Sequence, residues 1–138
     1  MTITTPLRPL TPSELTIDGG FWGDYQQLNE RSIIQHCLHW VVRVGWVGNF
    51  DAAAEGRPFP HAGVAFVDSE VYKLLEAMAW QLRRGPEPRL AAQYQDLVAR
   101  VAAAQEADGY LHTAFGREGQ PPRYSDLEWG HELYCFGH

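Results

Sequence analysis

The chain has 138 residues, the length of one ordinary domain, and 45% of them are hydrophobic. A chain of this size buries roughly two-thirds of the surface that its unfolded form exposes, which is enough for a core. The 17 acidic residues outnumber the 11 basic ones, and no basic block occurs. The composition therefore argues against binding to nucleic acid or to an anionic membrane surface.

The first 14 residues contain three prolines and are predicted to form an extended arm. They lack the apolar segment of a signal peptide, and no run of about 18 apolar residues occurs in the chain. We therefore expect a cytoplasmic protein without a membrane span, with one domain over residues 15–138. Residues 15–22 predict a short strand or extended segment that ends in a Gly19-Gly20 turn.

The first helix is predicted over residues 24–44, because apolar residues recur there at spacings of three and four. Asp24 is its expected N-cap. Residues 45–63 contain four glycines and two prolines and predict a long loop. Trp46 and Asn49 of this loop are candidates for the rim of a pocket.

The next two helices are predicted over residues 69–84 and 88–107 and form an antiparallel hairpin. Asp68 or Ser69 is expected to cap the first of them. Lys73 and Glu76, three residues apart, predict an ion pair on this helix.

The last predicted helix carries the stretch HELYCFGH, residues 131–138. Ser125 and Glu128 have the spacing of a capping box, which places its start near residue 125. With four helices and only a short extended segment near the N-terminus, the sequence predicts an all-α fold.

This terminal stretch has three possible roles. His131, Cys135 and His138 share one face of a helix and could bind zinc. The same stretch could simply pack its aromatic side chains and use His131 for structural hydrogen bonds. It could also bind a sugar, because imidazole and carboxylate give directional hydrogen bonds and aromatic rings give flat apolar faces. With only two cysteines, Cys37 and Cys135, we expect free thiols rather than a disulfide framework.

Four blocks, in this order, resemble the start of glycoside hydrolase family 127, the β-L-arabinofuranosidases. They are Phe21-Trp22, the FxDSEVYKxLE block of residues 66–76, the AQxxDGYLHT block of residues 104–113 and the HELYCFGH block of residues 131–138. The usual family pattern has Asp where this chain has Glu70. The resemblance covers residues 17–138 and implies an (α/α)6 barrel, of which four helices would be the N-terminal part. We therefore expect a fragment of a longer catalytic domain.

The resemblance implies that His131 contacts the arabinofuranose ring inside the pocket. Glu132, His138, Asp68 and Tyr110 are weaker candidates for substrate binding, and Glu132 and His138 are expected to act mainly through supporting hydrogen bonds. His36, His39, His61 and His112 lack such motif support and are expected to be surface or structural residues.

The chemistry that the resemblance implies is retaining hydrolysis by a cysteine nucleophile on zinc, with a glutamate acid/base. In the family these residues lie in later helices, and neither Cys37 nor Cys135 matches them. We therefore expect no catalytic residue and no metal ligand in this chain, zinc only in the full-length protein, and an inactive fragment whose partner is a small sugar or oligosaccharide. The alternative is a non-enzymatic helical module that binds carbohydrate or forms homo-oligomers through exposed faces bearing Leu90, Leu97 and Val101.

Overall fold

The computed structural model of the protein describes residues 7–12 and 14–138, and half of the arm predicted over residues 1–14 lies outside them. Within these residues a π-helical turn, Asn29–Ile33, joins the first two of six α-helices. These are α1 (Gly20–Leu28), α2 (Ile34–Arg43), α3 (Trp46–Ala54), α4 (Val67–Leu82), α5 (Pro88–Ala103) and α6 (Glu132–Gly137). No strand occurs in the described part of the chain, which confirms the all-α prediction and excludes a strand over residues 15–22.

The first predicted helix begins earlier than expected. It starts at Gly20, whose φ of 66° only glycine adopts without strain, so Asp24 lies inside α1 and is not its N-cap. The π-helical turn then inserts an extra residue per turn and shifts the helix register. After this shift α2 directs Ile34 and Val41 into the core.

The loop predicted over residues 45–63 contains a helix, so that prediction is wrong. Gly45 does end α2, with a φ of 84°, but its carbonyl then accepts the first hydrogen bond of α3, from Asn49 N. Val47 and Phe50 on α3 are fully buried. The many glycines and prolines around α3 predict a loop, although Val47 and Phe50 between them have the spacing of one helix face.

The predicted hairpin of α4 and α5 is present. Helix α4 begins and ends two residues earlier than predicted, and α5 ends four residues earlier. Glu87 caps α5 by accepting hydrogen bonds from Arg89 N and Leu90 N, and Pro88 occupies the first helical position. The core lies between α2, α3, α4 and α5. Its fully buried apolar side chains include Ile34, Val47, Phe50, Val71, Met78 and Leu97.

The prediction that Leu90, Leu97 and Val101 lie exposed is wrong, because all three are buried. Helix α3 packs on α5 and covers this face, and Arg100 of α5 forms a two-pronged ion pair with Asp51 of α3. Two groups of exposed aromatic and aliphatic side chains lie on α1 and around α6. They include Phe21, Trp22, Tyr25, Trp129 and Leu133.

The final helix is shorter than predicted, and the capping box does not form. The Ser125 hydroxyl donates to the Pro122 carbonyl at 2.7 Å rather than accepting from the backbone of a helix. Residues 125–131 form turns, and α6 begins at Glu132. Within the described residues, no helix has the length and apolar character needed to cross a bilayer.

Candidate functional site

His131 is the N-cap of α6 and has a left-handed backbone, with φ 56° and ψ 22°. Its Nδ1 lies 2.5 Å from the carbonyl oxygen of Trp129. A carbonyl oxygen only accepts hydrogen bonds, so Nδ1 must carry the proton. In the neutral ring, Nε2 is then an acceptor that can receive a hydrogen bond from a hydroxyl group.

Aromatic rings surround the half-buried imidazole of His131. The Phe66 ring lies 5.1 Å away and the Tyr134 ring 6.1 Å away, measured between centroids. Tyr134 also contacts the exposed His138, at 4.9 Å, and lies under the Lys73 ammonium, at 5.2 Å. An acceptor nitrogen beside flat apolar rings is an arrangement that suits a sugar hydroxyl and a sugar ring.

Glu132 points away from this surface and is fully buried. Its Oε1 accepts a hydrogen bond from the Tyr110 hydroxyl, and its Oε2 accepts one from Tyr124 N at 2.7 Å. Burial and the Glu132 contact together raise the pKa of Tyr110, so the phenol stays a donor. The pair joins the start of α6 to the segment that follows α5.

Asp68 lies in the first turn of α4 but does not cap it, so the capping prediction is wrong. Both carboxylate oxygens accept hydrogen bonds from Thr113, one from the backbone N at 2.7 Å and one from Oγ1 at 2.6 Å. Ser69 donates instead to the Phe66 carbonyl. Burial raises the pKa of Asp68 to about 6, although the two bonds from Thr113 act in the opposite direction.

His61 and His112, which the sequence predicts to be surface or structural residues, lie beside Thr113 and Asp68. His61 Nε2 lies 3.1 Å from Thr113 Oγ1. His112 is fully buried, and its Nδ1 accepts a hydrogen bond from Ala114 N, so Nε2 carries the proton and finds no partner among the described residues. The 3.9 Å separation of His112 Nδ1 and Asp68 Oδ2 is therefore not an ion pair. The position of His112 inside the YLHT block was the one available sequence signal.

His131, Cys135 and His138 are not arranged as zinc ligands in this structure. His131 and His138 are at the two ends of the six-residue helix α6, and Cys135 between them is buried, with Sγ directed at the Phe66 carbonyl 3.9 Å away. Burial raises the pKa of the Cys135 thiol to about 11, whereas zinc binds the thiolate. No group of three or more His, Cys, Asp or Glu side chains in the described part of the chain could hold a metal ion. Both cysteines are free, as predicted.

Two further predicted features differ in the structure. Lys73 pairs with Glu70, at 2.8 Å, rather than with Glu76. Asn49 is 2% exposed and is tied to the Ala62 backbone by two hydrogen bonds, so in this structure it anchors the loop after α3. A buried amide with both groups engaged is not available to a ligand.

Comparison with known proteins places this geometry in a family. The model of the β-L-arabinofuranosidase GH127 catalytic domain matches residues 14–138. A non-reducing end beta-L-arabinofuranosidase of Bifidobacterium longum subsp. longum is 38% identical over 96 residues, which is 67% of this chain and 15% of that protein.

Solved structures agree with this match. The structure of a GH127 beta-arabinofuranosidase superposes with a TM-score of 0.82 at 27% identity, over 94% of this chain and 22% of the other. The crystal structure of a GH127 beta-L-arabinofuranosidase from Geobacillus stearothermophilus T6 gives a TM-score of 0.79 at 30% identity, over 89% and 20%. The chain thus spans about a fifth or less of the length of these relatives, and the predicted membership of an α/α-barrel family is confirmed.

Proposed function

This chain belongs to the GH127 beta-L-arabinofuranosidase family, and from that premise we propose that it forms one wall of the sugar pocket of a glycoside hydrolase. The activity that we propose for the whole enzyme is removal of a terminal β-L-arabinofuranose, or a closely related sugar, from an oligosaccharide or glycan. The activity named for the Bifidobacterium relative supports this substrate class.

The single observation that carries the proposal is the fixed orientation of the His131 ring. The Trp129 carbonyl fixes the proton on Nδ1, and Phe66 and Tyr134 hold the ring from two sides. Nε2 can therefore accept a hydrogen bond from a sugar hydroxyl without first changing tautomer. Pre-organisation of this kind lowers the entropic cost of binding.

We expect these 138 residues to bind the sugar without hydrolysing it. Family resemblance assigns the nucleophilic cysteine, the glutamate acid/base and the zinc to later helices. Within this chain, Cys135 is a poor nucleophile because its thiol is buried and its pKa is raised to about 11. Asp68 and Glu132 are buried and fully engaged with Thr113, Tyr110 and Tyr124, so they are poorly placed for acid/base work on a bound sugar.

Titration of the isotope-labelled chain with methyl β-L-arabinofuranoside tests the proposal. NMR shift changes are expected at His131, Phe66 and Tyr134, with dissociation constants of about 1 mM or weaker, since one wall makes only a few contacts. Methyl β-D-glucopyranoside is the control sugar and should leave these signals unmoved. Shift changes that avoid α6, or that are equal for both sugars, would refute the assignment of this surface.

A further inference from the structure

Two buried carboxylates bind the segment that follows α5. Asp68 on α4 holds this segment at Thr113, and Glu132 on α6 holds it at Tyr110. Both carboxylates are fully buried, so neither can touch a sugar in this structure. The segment thus fastens the start of α4 to the start of α6.

Phe66 links the start of α4 directly to α6. It precedes Asp68 by two residues and is the N-cap of α4. Its carbonyl accepts hydrogen bonds from Ser69 N at 3.0 Å and Ser69 Oγ at 2.8 Å, and it faces Cys135 Sγ. Its ring lies against His131. One contact between the start of α4 and α6 therefore passes through Phe66 to the imidazole, and Lys73 over Tyr134 forms another.

We propose that Asp68 is a positioning residue for His131, acting through Thr113 and Phe66 to fix the ring orientation in which Nδ1–H reaches the Trp129 carbonyl. Asp68 anchors the first turn of α4 to the segment after α5, which itself anchors α6 through Tyr110 and Glu132. If this anchor is loosened, the Phe66 ring is free to move relative to α6, and the His131 ring loses one of its two aromatic walls. The functional meaning of this inference depends on the proposed sugar-binding role of His131, but its test does not.

A purely stabilising role for Asp68 makes a different prediction. In that case, loss of the Asp68–Thr113 bonds lowers the free energy of unfolding and leaves the folded His131 ring unchanged. The two roles are separated by a spectroscopic signal of His131 itself, measured in the folded protein without any sugar. Failure of sugar binding would then count against the proposed function, and an unchanged His131 signal would count against the positioning role.

The experiment uses the full chain with ¹⁵N-labelled histidine, and ring nitrogen shifts of His131 are recorded near pH 8, where histidine is usually neutral. Wild type should show one tautomer, with the proton on Nδ1. Asp68→Asn and Thr113→Val should shift both ring nitrogens toward values averaged between tautomers. Thr113→Ser keeps the hydroxyl and should restore the wild-type signal.

Asp51→Asn is the matched control, because it breaks a carboxylate clamp between α3 and α5 that lies outside this arrangement. It should leave the His131 nitrogens unchanged. If Asp68→Asn does not fold, the comparison of Thr113→Val with Thr113→Ser distinguishes the positioning role from a purely stabilising one. Equal His131 signals in those two variants, or a shift in Asp51→Asn as large as in the Asp68 and Thr113 variants, would overturn the positioning role.

Discussion

Tyr110 and Glu132 form a buried hydrogen bond between two segments that are 22 residues apart in the chain. Water cannot reach either group to replace the bond if it is lost, since Glu132 is 0% exposed and Tyr110 is 5% exposed. A buried carboxylate that loses a donor carries a desolvation penalty. This pair therefore contributes strongly to the attachment of α6 to the rest of the domain.

Removal of either partner should destabilise the protein measurably. We expect Tyr110→Phe and Glu132→Gln each to lower the free energy of unfolding by about 2 kcal/mol, the range for hydrogen bonds to charged groups. The double variant should lose less than the sum, because Tyr110→Phe removes the donor of the same bond that Glu132→Gln weakens. Urea denaturation measures all three. The control Glu118→Gln, at an exposed site, should change the free energy of unfolding by less than about 0.5 kcal/mol. Additive losses in the Tyr110→Phe, Glu132→Gln double variant would contradict the coupling.

Asp68 should make stability depend on pH in an unusual direction. Its pKa is about 6 in the folded protein and 3.8 as the ordinary value, so the folded state holds the proton more tightly. The contribution of Asp68 to the free energy of unfolding is therefore greatest below pH 4 and declines as the pH rises to about 6. The decline is on the order of 3 kcal/mol, since one pKa unit corresponds to about 1.4 kcal/mol.

Asp68→Asn removes this decline. The stability of the variant minus that of wild type should rise as the pH goes from 4 to 6, on top of a constant loss from the weakened Thr113 bonds. Urea denaturation at several pH values gives this difference directly. A difference that is the same at every pH would mean that Asp68 does not titrate in this range.

His112 should have the opposite effect. Burial lowers its pKa to about 4 from 6.5, so the folded state excludes the proton. Its contribution to stability is present above pH 6.5 and is lost as the pH falls toward 4. His112→Asn retains an acceptor for Ala114 N, and its stability relative to wild type should fall as the pH rises from 4 to 6.5. A relative stability that rises over this interval would contradict the assignment of a neutral buried ring.

The left-handed backbone of His131 gives a test that needs no ligand. Glycine adopts a φ of 56° without strain, whereas a residue with a Cβ does so at a cost of about 1 kcal/mol. His131→Gly should therefore be more stable than His131→Ala by about that amount in chemical denaturation. His39 lies exposed in the regular helix α2, and there the order should reverse, with alanine more stable than glycine. The same order at both positions would argue against the left-handed cap.

Hydrophobic spacing predicted the long helices well, because α4 and α5 carry regular apolar stripes that local sequence reveals. It missed α3, whose short stripe lies among glycines and prolines. It also misplaced the start of α6, because Ser125 donates to the Pro122 carbonyl instead of capping a helix. A capping pattern predicts a helix start only when its side chain has no competing local partner.

The candidate site was predictable in part. His131 was singled out from its motif, and the structure adds the reason that one ring nitrogen is a defined acceptor. The buried network was not predictable from local sequence. Asp68 and Thr113 are 45 residues apart, and His61 and Thr113 are 52 apart, so only the packing of α4 against the later segment reveals that they meet. Helix-capping preference at Asp68 pointed to a different role because it considers only neighbouring residues.

The central claim is that His131 Nε2 accepts a hydrogen bond from the sugar. The most direct measurement is the dissociation constant of methyl β-L-arabinofuranoside for wild type, His131→Ala and the remote control His39→Ala, determined by NMR titration. Loss of a hydrogen bond worth about 1 kcal/mol should weaken binding about fivefold in His131→Ala and leave His39→Ala unchanged. Equal dissociation constants for wild type and a folded His131→Ala variant would contradict the account.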